Sequence, residues 1–371
     1  MTRKGGADIP VCATGRHIMR TLEQICDRRL TVPLTASWYL SDIGRAQGLQ
    51  ELFTRQSPQR LKVLREHAIA QSAVSSNRIE GVEIDQARIG TVVFGHPALK
   101  DRDEEEVAGY RDALNLIHKR GAKLPVSEET ILTLHKLSRG EIWDAGQYKD
   151  KPVDIIERLP NGDQRVRFRS VSPSDTPVFT RNLVELWTDQ IRERNISPLV
   201  LLAAFNLDFL CIHPFRDGNG RASRLLLLLT CYHAGIDVGH YVSLERLIEE
   251  NKERYYETLQ LSSKGWHEGK HDPWPYIGYL LFIIKKAYDE FEERAGNVAA
   301  PRGEKTALVE KALHSLPQEF CVTDVERHCP NVSRDMIRHL LRALKEQGLI
   351  ACIGRGPGAK WRKRGNTPER V

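Results

Sequence analysis

Twelve consecutive residues, His213-Pro214-Phe215-Arg216-Asp217-Gly218-Asn219-Gly220-Arg221-Ala222-Ser223-Arg224, bring together an imidazole, a carboxylate, a Gly-Asn-Gly turn and two arginines three positions apart. These are the groups that handle a polyphosphate. Gly218 and Gly220 let the backbone approach an anion with no side chain intervening. Arg221 and Arg224, three apart on a helix, share a face and can fork onto successive phosphates. Asp217 is placed to hold a hydrated Mg2+ against them, because that ion prefers a carboxylate together with phosphate oxygens and water. His213 remains as the proton acceptor.

The flanking elements must aim these groups. Ser197 as N-cap, Pro198 at the first helical position and the apolar run to Ile212 predict a buried helix ending at His213. A second apolar helix is predicted from near Gly220 through Leu225 to Tyr232, stopped by Gly235. The loop then closes on a helix N-terminus, whose unpaired N–H groups and positive dipole end welcome an anion. Taken singly, a histidine after a helix is structural and Gly-Asn-Gly is a turn; the ordered set argues for chemistry.

That order, from His213 to Arg224, resembles the signature of Fic domain proteins at every fixed position. The resemblance implies a mainly α fold, a helical core with a small β-hairpin flap, and transfer of AMP from ATP to a Ser, Thr or Tyr hydroxyl of a target protein. It implies His213 as the base, Asp217 as the Mg2+ ligand, Asn219 with the amides of Gly218 and Gly220 as the α- and β-phosphate site, and Arg221 and Arg224 as holders of the β- and γ-phosphates.

Three further segments extend the resemblance. Gly146-Gln147-Tyr148-Lys149 and Pro152-Val153-Asp154-Ile155 look like the entry to the flap. A hairpin is predicted there independently, from the apolar run Val153 to Ile156, an Asn161-Gly162 turn and a second strand near Val166 and Phe168; a surface hairpin without a role fits equally. Glu253-Arg254-Tyr255-Tyr256-Glu257-Thr258-Leu259 resembles the helix bordering the adenine pocket. Adjacent tyrosines cannot share a helix face, so one packs in the core and Tyr256 is assigned to the nucleotide. Ser76-Asn77-Arg78-Ile79-Glu80-Gly81, ending a helix predicted from about Gln59, resembles the inhibitory motif of the family. Ser76, Glu80 and Gly81 would then be regulatory, with Glu80 pairing with Arg224 and competing with phosphate for its donors. The plain alternative for Glu80 is a solvated helix end.

The composition, 28% charged and 40% hydrophobic over 371 residues, is that of a globular chain long enough for two or three domains. Cys12, Cys26, Cys211, Cys231, Cys321, Cys329 and Cys352 are odd in number and scattered, which predicts reduced thiols in a cytoplasmic protein. Cys321, His328 and Cys329 lack a fourth zinc ligand. The absence of a long apolar stretch and of an apolar leader argues against membrane spanning and secretion.

Residues 301–371 carry 14 Lys or Arg and 8 Asp or Glu, which equals the whole formal charge of +6. Arg294 to Gly303 reads as a linker. Helices follow from Glu304 to Leu316, from Thr323 with Glu326 in capping-box spacing, and from Ser333 to Gln347. Then come a strand from Leu349 to Ile353, an Arg355-Gly356-Pro357-Gly358 turn and a basic strand from Lys360 to Arg364. This pattern looks like a winged helix-turn-helix domain. Ser333, Arg334, Arg338, Arg342, Lys360 and Arg362 are its candidate DNA contacts; dimerisation or target docking is the alternative use.

The expected organisation is a helical region at 1–58, with helices near Arg16 to Arg28 and Ser37 to Arg55; an inhibitory helix and lead-in at 59–130; a catalytic core at 131–293; a linker at 294–303; and a winged helix-turn-helix at 304–371. Removal of AMP, transfer of another phosphate-containing group, a homo-oligomer, and a nucleotide-sensing regulator that binds DNA all stay open.

Overall fold

The computed structural model describes residues 20–26, 31–56, 58–95, 98–140, 142–158, 164–296, 304–329, 332–354, 356 and 359–364. The first part is helical: α1 (Arg20–Cys26), α2 (Leu34–Gln56), α3 (Pro58–Ile79), α4 (Gln86–Phe94), α5 (Arg102–Arg120) and α6 (Glu128–Arg139). An antiparallel pair follows, β1 (Asp154–Arg158) and β2 (Gln164–Arg169), and then α7 (Thr176–Glu193), α8 (Pro198–Ile212), α9 (Asn219–His233), α10 (Leu244–Glu250), α11 (Lys252–Ser263) and α12 (Trp274–Gly296). The last stretch holds α13 (Glu304–Ser315), β3 (Glu319–Cys321), α14 (Val322–His328), α15 (Arg334–Glu346), β4 (Ile350–Ile353) and β5 (Lys360–Lys363).

Helix α8 is the axis of the larger core. Every residue from Leu199 to Ile212 is buried, as an all-round apolar helix must be. Its two polar residues are fully used. Asp208 accepts the Thr21 N–H at 3.0 Å, the Leu22 N–H at 2.9 Å and the Trp266 indole N–H at 2.6 Å, which ties α1 to α8. The Asn206 amide donates to the Ser223 carbonyl at 2.8 Å and accepts from the Tyr276 hydroxyl at 2.7 Å, which fixes α9 and α12 against α8. Ser197 stands at the N-cap position of α8 as expected, but its hydroxyl makes no capping bond.

Buried apolar side chains form two separate clusters, one from Leu22 to Phe291 and one from Val309 to Trp361. In the second, β5 lies between β3 and β4, all antiparallel. Ile337, Leu340, Leu341 and Leu344 make the buried stripe of α15. Two expectations need correction here. The cap of α14 is Cys321, whose N–H donates to Asp324 at 2.8 Å, two residues earlier than the Thr323/Glu326 pair. Helix α12 continues through Arg294 to Gly296, three residues into the expected linker, because its apolar face still packs on the core at Tyr288 and Phe291. The short strand β3 was not expected at all.

Residues 1–19, the Asn161-Gly162 turn, residues 297–303, Arg355, Pro357 and Gly358 lie outside the described residues. Among the described residues no helix is long and apolar enough to cross a membrane.

Candidate active site

The loop between α8 and α9 is braced from inside. The Asn219 side chain accepts the Phe215 N–H at 2.9 Å and donates to the Phe215 carbonyl at 2.8 Å. Asn219, expected on a phosphate, thus staples the loop with one bond from each polar atom of its side chain, which leaves one amide proton for an anion. Phe215 is buried and stacks on His135, with centroids 3.6 Å apart. That imidazole accepts the Gly146 N–H at 2.9 Å and reaches the Asp217 carbonyl at 2.9 Å, so it is neutral with its proton on Nε2. The first intrahelical bond of α9 runs from the Ala222 N–H to the Gly218 carbonyl, which leaves the N–H groups of Asn219, Gly220 and Arg221 without one.

Glycine is required by the backbone at 218, and at 220 it leaves room for a neighbouring side chain. Gly218 has φ +79°, and a Cβ there would lie 2.7 Å from Cδ of Arg139; a Cβ on Gly220 would collide with the Glu80 carboxylate. A carboxylate therefore sits against the helix start where an anion is expected.

His213 caps α8 in the left-handed conformation, φ +53°, a position normally given to glycine at a cost of about 1 kcal/mol or more to other residues. Its Nδ1 lies 3.3 Å from the Leu210 carbonyl, which can only accept, so Nδ1 carries the proton and Nε2 is the open base. Burial, and then the Lys149 charge, hold this imidazole down to about 4, so it is neutral at neutral pH.

The arginines of α9 point at α3. Arg224 donates to Glu80 at 2.7 Å, to the Ser76 hydroxyl at 2.8 Å and to the Ser76 carbonyl at 2.9 Å, and its Nη1 makes no hydrogen bond. Arg221 was expected to stand open to phosphate. It is 2% exposed and committed to Glu106 at 2.6 Å and Asn77 at 3.1 Å. Glu106 in turn holds Arg139 at 3.1 Å, and Arg139 holds the Asp217 carboxylate at 2.8 Å. Burial would raise the Asp217 carboxyl, but Arg139 and the Gly218 N–H keep it below its ordinary range. Its side chain is 61% exposed, which leaves room for a hydrated cation.

Helix α3 delivers Glu80 by its ending. The Val82 N–H bonds the Asn77 carbonyl and the Gly81 N–H bonds the Arg78 carbonyl, with Gly81 at φ +86°, so the chain turns sharply and Glu80 projects from the cap. The Lys252 ammonium adds a bond to the Ile79 carbonyl at 2.8 Å. Tyr255 is buried and Tyr256 half-buried, within the field of Glu80 and Arg224; burial pushes the Tyr256 phenol up to about 12.

Glu106, Arg139, His135, Lys149 and Asn77 were missed by sequence reasoning. A signal existed for Glu106, which shares the helical spacing of Tyr110, Ala113 and Ile117 on the buried face of α5. Lys149 and Asn77 stand inside the quoted flap and inhibitory segments but were given no role there, while His135 and Arg139 are joined to the site by long-range packing and left no local trace.

In the smaller unit, Ser333 caps α15, and Arg338, Arg342 and Lys345 border a cleft of about 630 Å³ with Trp361. Several candidate DNA contacts already face carboxylates: Arg334 is 3.4 Å from Glu326, Arg338 3.7 Å from Asp335 and Arg362 2.6 Å from Glu319. Lys360 pairs in β5 opposite Cys321 and Ile353.

The histidines make a stability prediction. Burial holds His118 at about 3 and His135, His213 and His240 at about 4, below the ordinary 6.5. An unfolded chain takes up protons near 6.5 that these sites refuse. Their contribution is therefore full above 6.5 and is lost as pH falls toward 4, by up to about 1.4 kcal/mol per pH unit for each site. The Glu104 carboxyl, held by Arg88 at about 2, adds its loss only at lower pH. The urea midpoint should decline steadily from about pH 7 to about pH 5; a flat midpoint over that window contradicts the assignment.

Residues 125–231 match the model of the Fic/DOC family. The protein adenylyltransferase Fic of Drosophila virilis is 25% identical over 235 residues, which cover 62% of this chain and 44% of that one. The chain thus spans less than half the length of such curated relatives. A Fic family protein from Desulfovibrio desulfuricans superimposes with a TM-score of 0.58 at 21% identity, covering 92% of this chain and 99% of that one. A Fic domain containing signaling protein from Bacteroides thetaiotaomicron gives 0.59 at 20% identity, covering 69% and 97%. At such identities these two likenesses speak for the fold.

Proposed function

We propose, from the match of residues 125–231 to the Fic/DOC family, that this Fic domain transfers AMP from ATP to a Ser, Thr or Tyr hydroxyl of a target protein, under self-inhibition by Glu80. The observation that carries the reading is the His213 imidazole, neutral and with Nε2 open, at the head of a loop that ends in a helix N-terminus beside the buried Arg224.

In this mechanism Nε2 of His213 takes the acceptor proton as the hydroxyl oxygen bonds to the α-phosphorus. The bond from that phosphorus to the α,β-bridging oxygen breaks, and pyrophosphate leaves with the electron pair. The main-chain N–H groups of Asn219, Gly220 and Arg221 receive phosphate oxygens, and Arg224 holds the terminal phosphate once Glu80 withdraws. Asp217 fits a divalent cation such as Mg2+, being an exposed carboxylate beside those amides, and a bound cation would neutralise charge on the leaving pyrophosphate. Among the described residues no three His, Cys, Asp or Glu side chains gather around it, so nucleotide and water would supply the other ligands. Arg221 supports the loop from behind through Glu106 and Arg139.

We also propose that residues 304–371 form a winged helix-turn-helix with α15 as recognition helix, an assignment favoured by Arg334, Arg338 and Arg342 on the side away from the buried stripe. Its DNA reading stands second to catalysis, because three of its candidate side chains already have carboxylate partners within this unit.

The test is the position of the transferred label. The Glu80→Gly variant, given cell lysate and Mg2+, should mark protein with α-labelled ATP and not with γ-labelled ATP. Label from the γ position would mean phosphoryl transfer. Label from neither, with salt-sensitive DNA binding by the full chain, would favour the nucleotide-sensing regulator.

A further inference from the structure

Lys149 is 3% exposed, yet none of the three groups its ammonium touches is a carboxylate. Nζ donates to the Ser170 hydroxyl at 2.7 Å, the Ile212 carbonyl at 3.0 Å and the His213 carbonyl at 2.8 Å, which uses all three of its protons. An ammonium buried in this way is costly. The end of α8 offsets the cost, because unpaired carbonyls and the negative end of the helix dipole face it. The Lys149 N–H also bonds the Pro214 carbonyl at 3.0 Å, and the Ser170 hydroxyl donates onward to the Val153 carbonyl at 2.6 Å. Val153 precedes β1 and Ser170 follows β2, so one side chain joins the foot of the hairpin to the backbone on both sides of His213.

The carbonyls that Lys149 grips belong to the two peptide planes flanking the His213 α-carbon. Those planes set its φ of +53° and ψ of +61°. We infer that Lys149 is the positioning residue of the base: it clamps the left-handed turn that aims the His213 imidazole and ties that turn to the hairpin. The inference rests on the AMP-transfer reading of His213.

Electrostatics adds a second effect of the same contact. Burial and then Lys149 lower the His213 imidazole, while Glu80 from the end of α3 and Asp217 from the loop act against them. Lys149 is itself lowered by burial, to about 8, with Asp154 at the start of β1 opposing, and so stays mainly charged at neutral pH.

The experiment is set in the Glu80→Gly background. Lys149→Met should lower kcat roughly 10- to 100-fold with KM for ATP little changed, since a base misplaced by about 1 Å costs on that scale. The acid limb of kcat/KM should also move up by about one pH unit, toward the ordinary imidazole value. Lys149→Arg should leave the limb in place. Ser170→Ala keeps the charge but removes the link to the hairpin, and should lower kcat several-fold with the limb unmoved, which serves if Lys149→Met does not fold. A uniform loss of rate with no limb shift in Lys149→Met, or full kcat in Ser170→Ala, overturns the inference. Nuclear magnetic resonance titration of His213, identified by its absence from His213→Ala, reads the same shift without turnover. If no variant transfers AMP while that titration still moves with Lys149→Met, the AMP-transfer reading fails and the clamp stands.

Discussion

Glu80→Gly is expected to raise AMP transfer by about 10- to 100-fold over the wild-type chain. The Glu80 carboxylate lies 2.7 Å from Arg224 and against Gly220, so it takes both the guanidinium and the helix start that a terminal phosphate would use. One charge-assisted bond of this type contributes about 1.5–3 kcal/mol, and about 1.4 kcal/mol is tenfold in an equilibrium constant. On the proposed function, nucleotide must displace that interaction before it binds productively. The same geometry predicts a thermodynamic trade. Arg224 is 2% exposed, and without Glu80 it keeps only the Ser76 carbonyl and hydroxyl as acceptors. The variant should melt earlier than wild type when free, because a buried cation has lost its counter-charge, and should gain more from added ATP. Glu80→Gln, with the size but not the charge, should fall between the two. Calorimetry showing equal ATP affinity in all three chains, with equal labelling, would remove Glu80 from any inhibitory role.

What the sequence disclosed and what it hid divide along a physical line. The α8–loop–α9 frame was legible because its determinants are local: Pro198 opens a helix, an unbroken apolar run demands burial, and Gly218 takes the left-handed backbone that lets the loop turn into α9. The end of α3 was legible for the same reason, since Gly81 is the residue that lets Glu80 project. Partners were not legible. Nothing near Arg221 in sequence says that its charge is met by Glu106, 115 positions earlier, or that Glu106 passes the connection through Arg139 to Asp217. Glu106 is further masked by the acidic run from Asp103 to Glu106, where local pattern alone suggests a solvated helix start. Asn219 hid a second role. Its amide is of the right type for phosphate, and only the three-dimensional loop shows that the Phe215 backbone uses it first. In the smaller unit, three residues of β3 are too few for a periodic signal, and their existence depends on pairing with β5, 39 or more positions away.

His213→Ala in the Glu80→Gly background should cut the rate by roughly 10²- to 10⁴-fold, the usual worth of a positioned base. Its cause can be separated from misfolding by what does not change. The loop is held by Asn219, Phe215, His135 and Arg139, none of which is bonded to the His213 ring; that ring's own contact is with the Leu210 carbonyl on α8. Alanine at 213 keeps the left-handed strain that histidine already carries, so stability should change by less than about 1 kcal/mol. ATP affinity should stay within a factor of a few, because the proposed phosphate donors are the amides of α9 and Arg224. The loss should therefore appear in kcat with KM for ATP nearly unchanged, the pattern of a group that acts only in the transition state. The acid limb near 4 should disappear with the imidazole, since no other group in the site has the same role. A weakened nucleotide affinity in proportion to the lost rate would instead make His213 a structural cap of α8, and the left-handed backbone would then need another explanation.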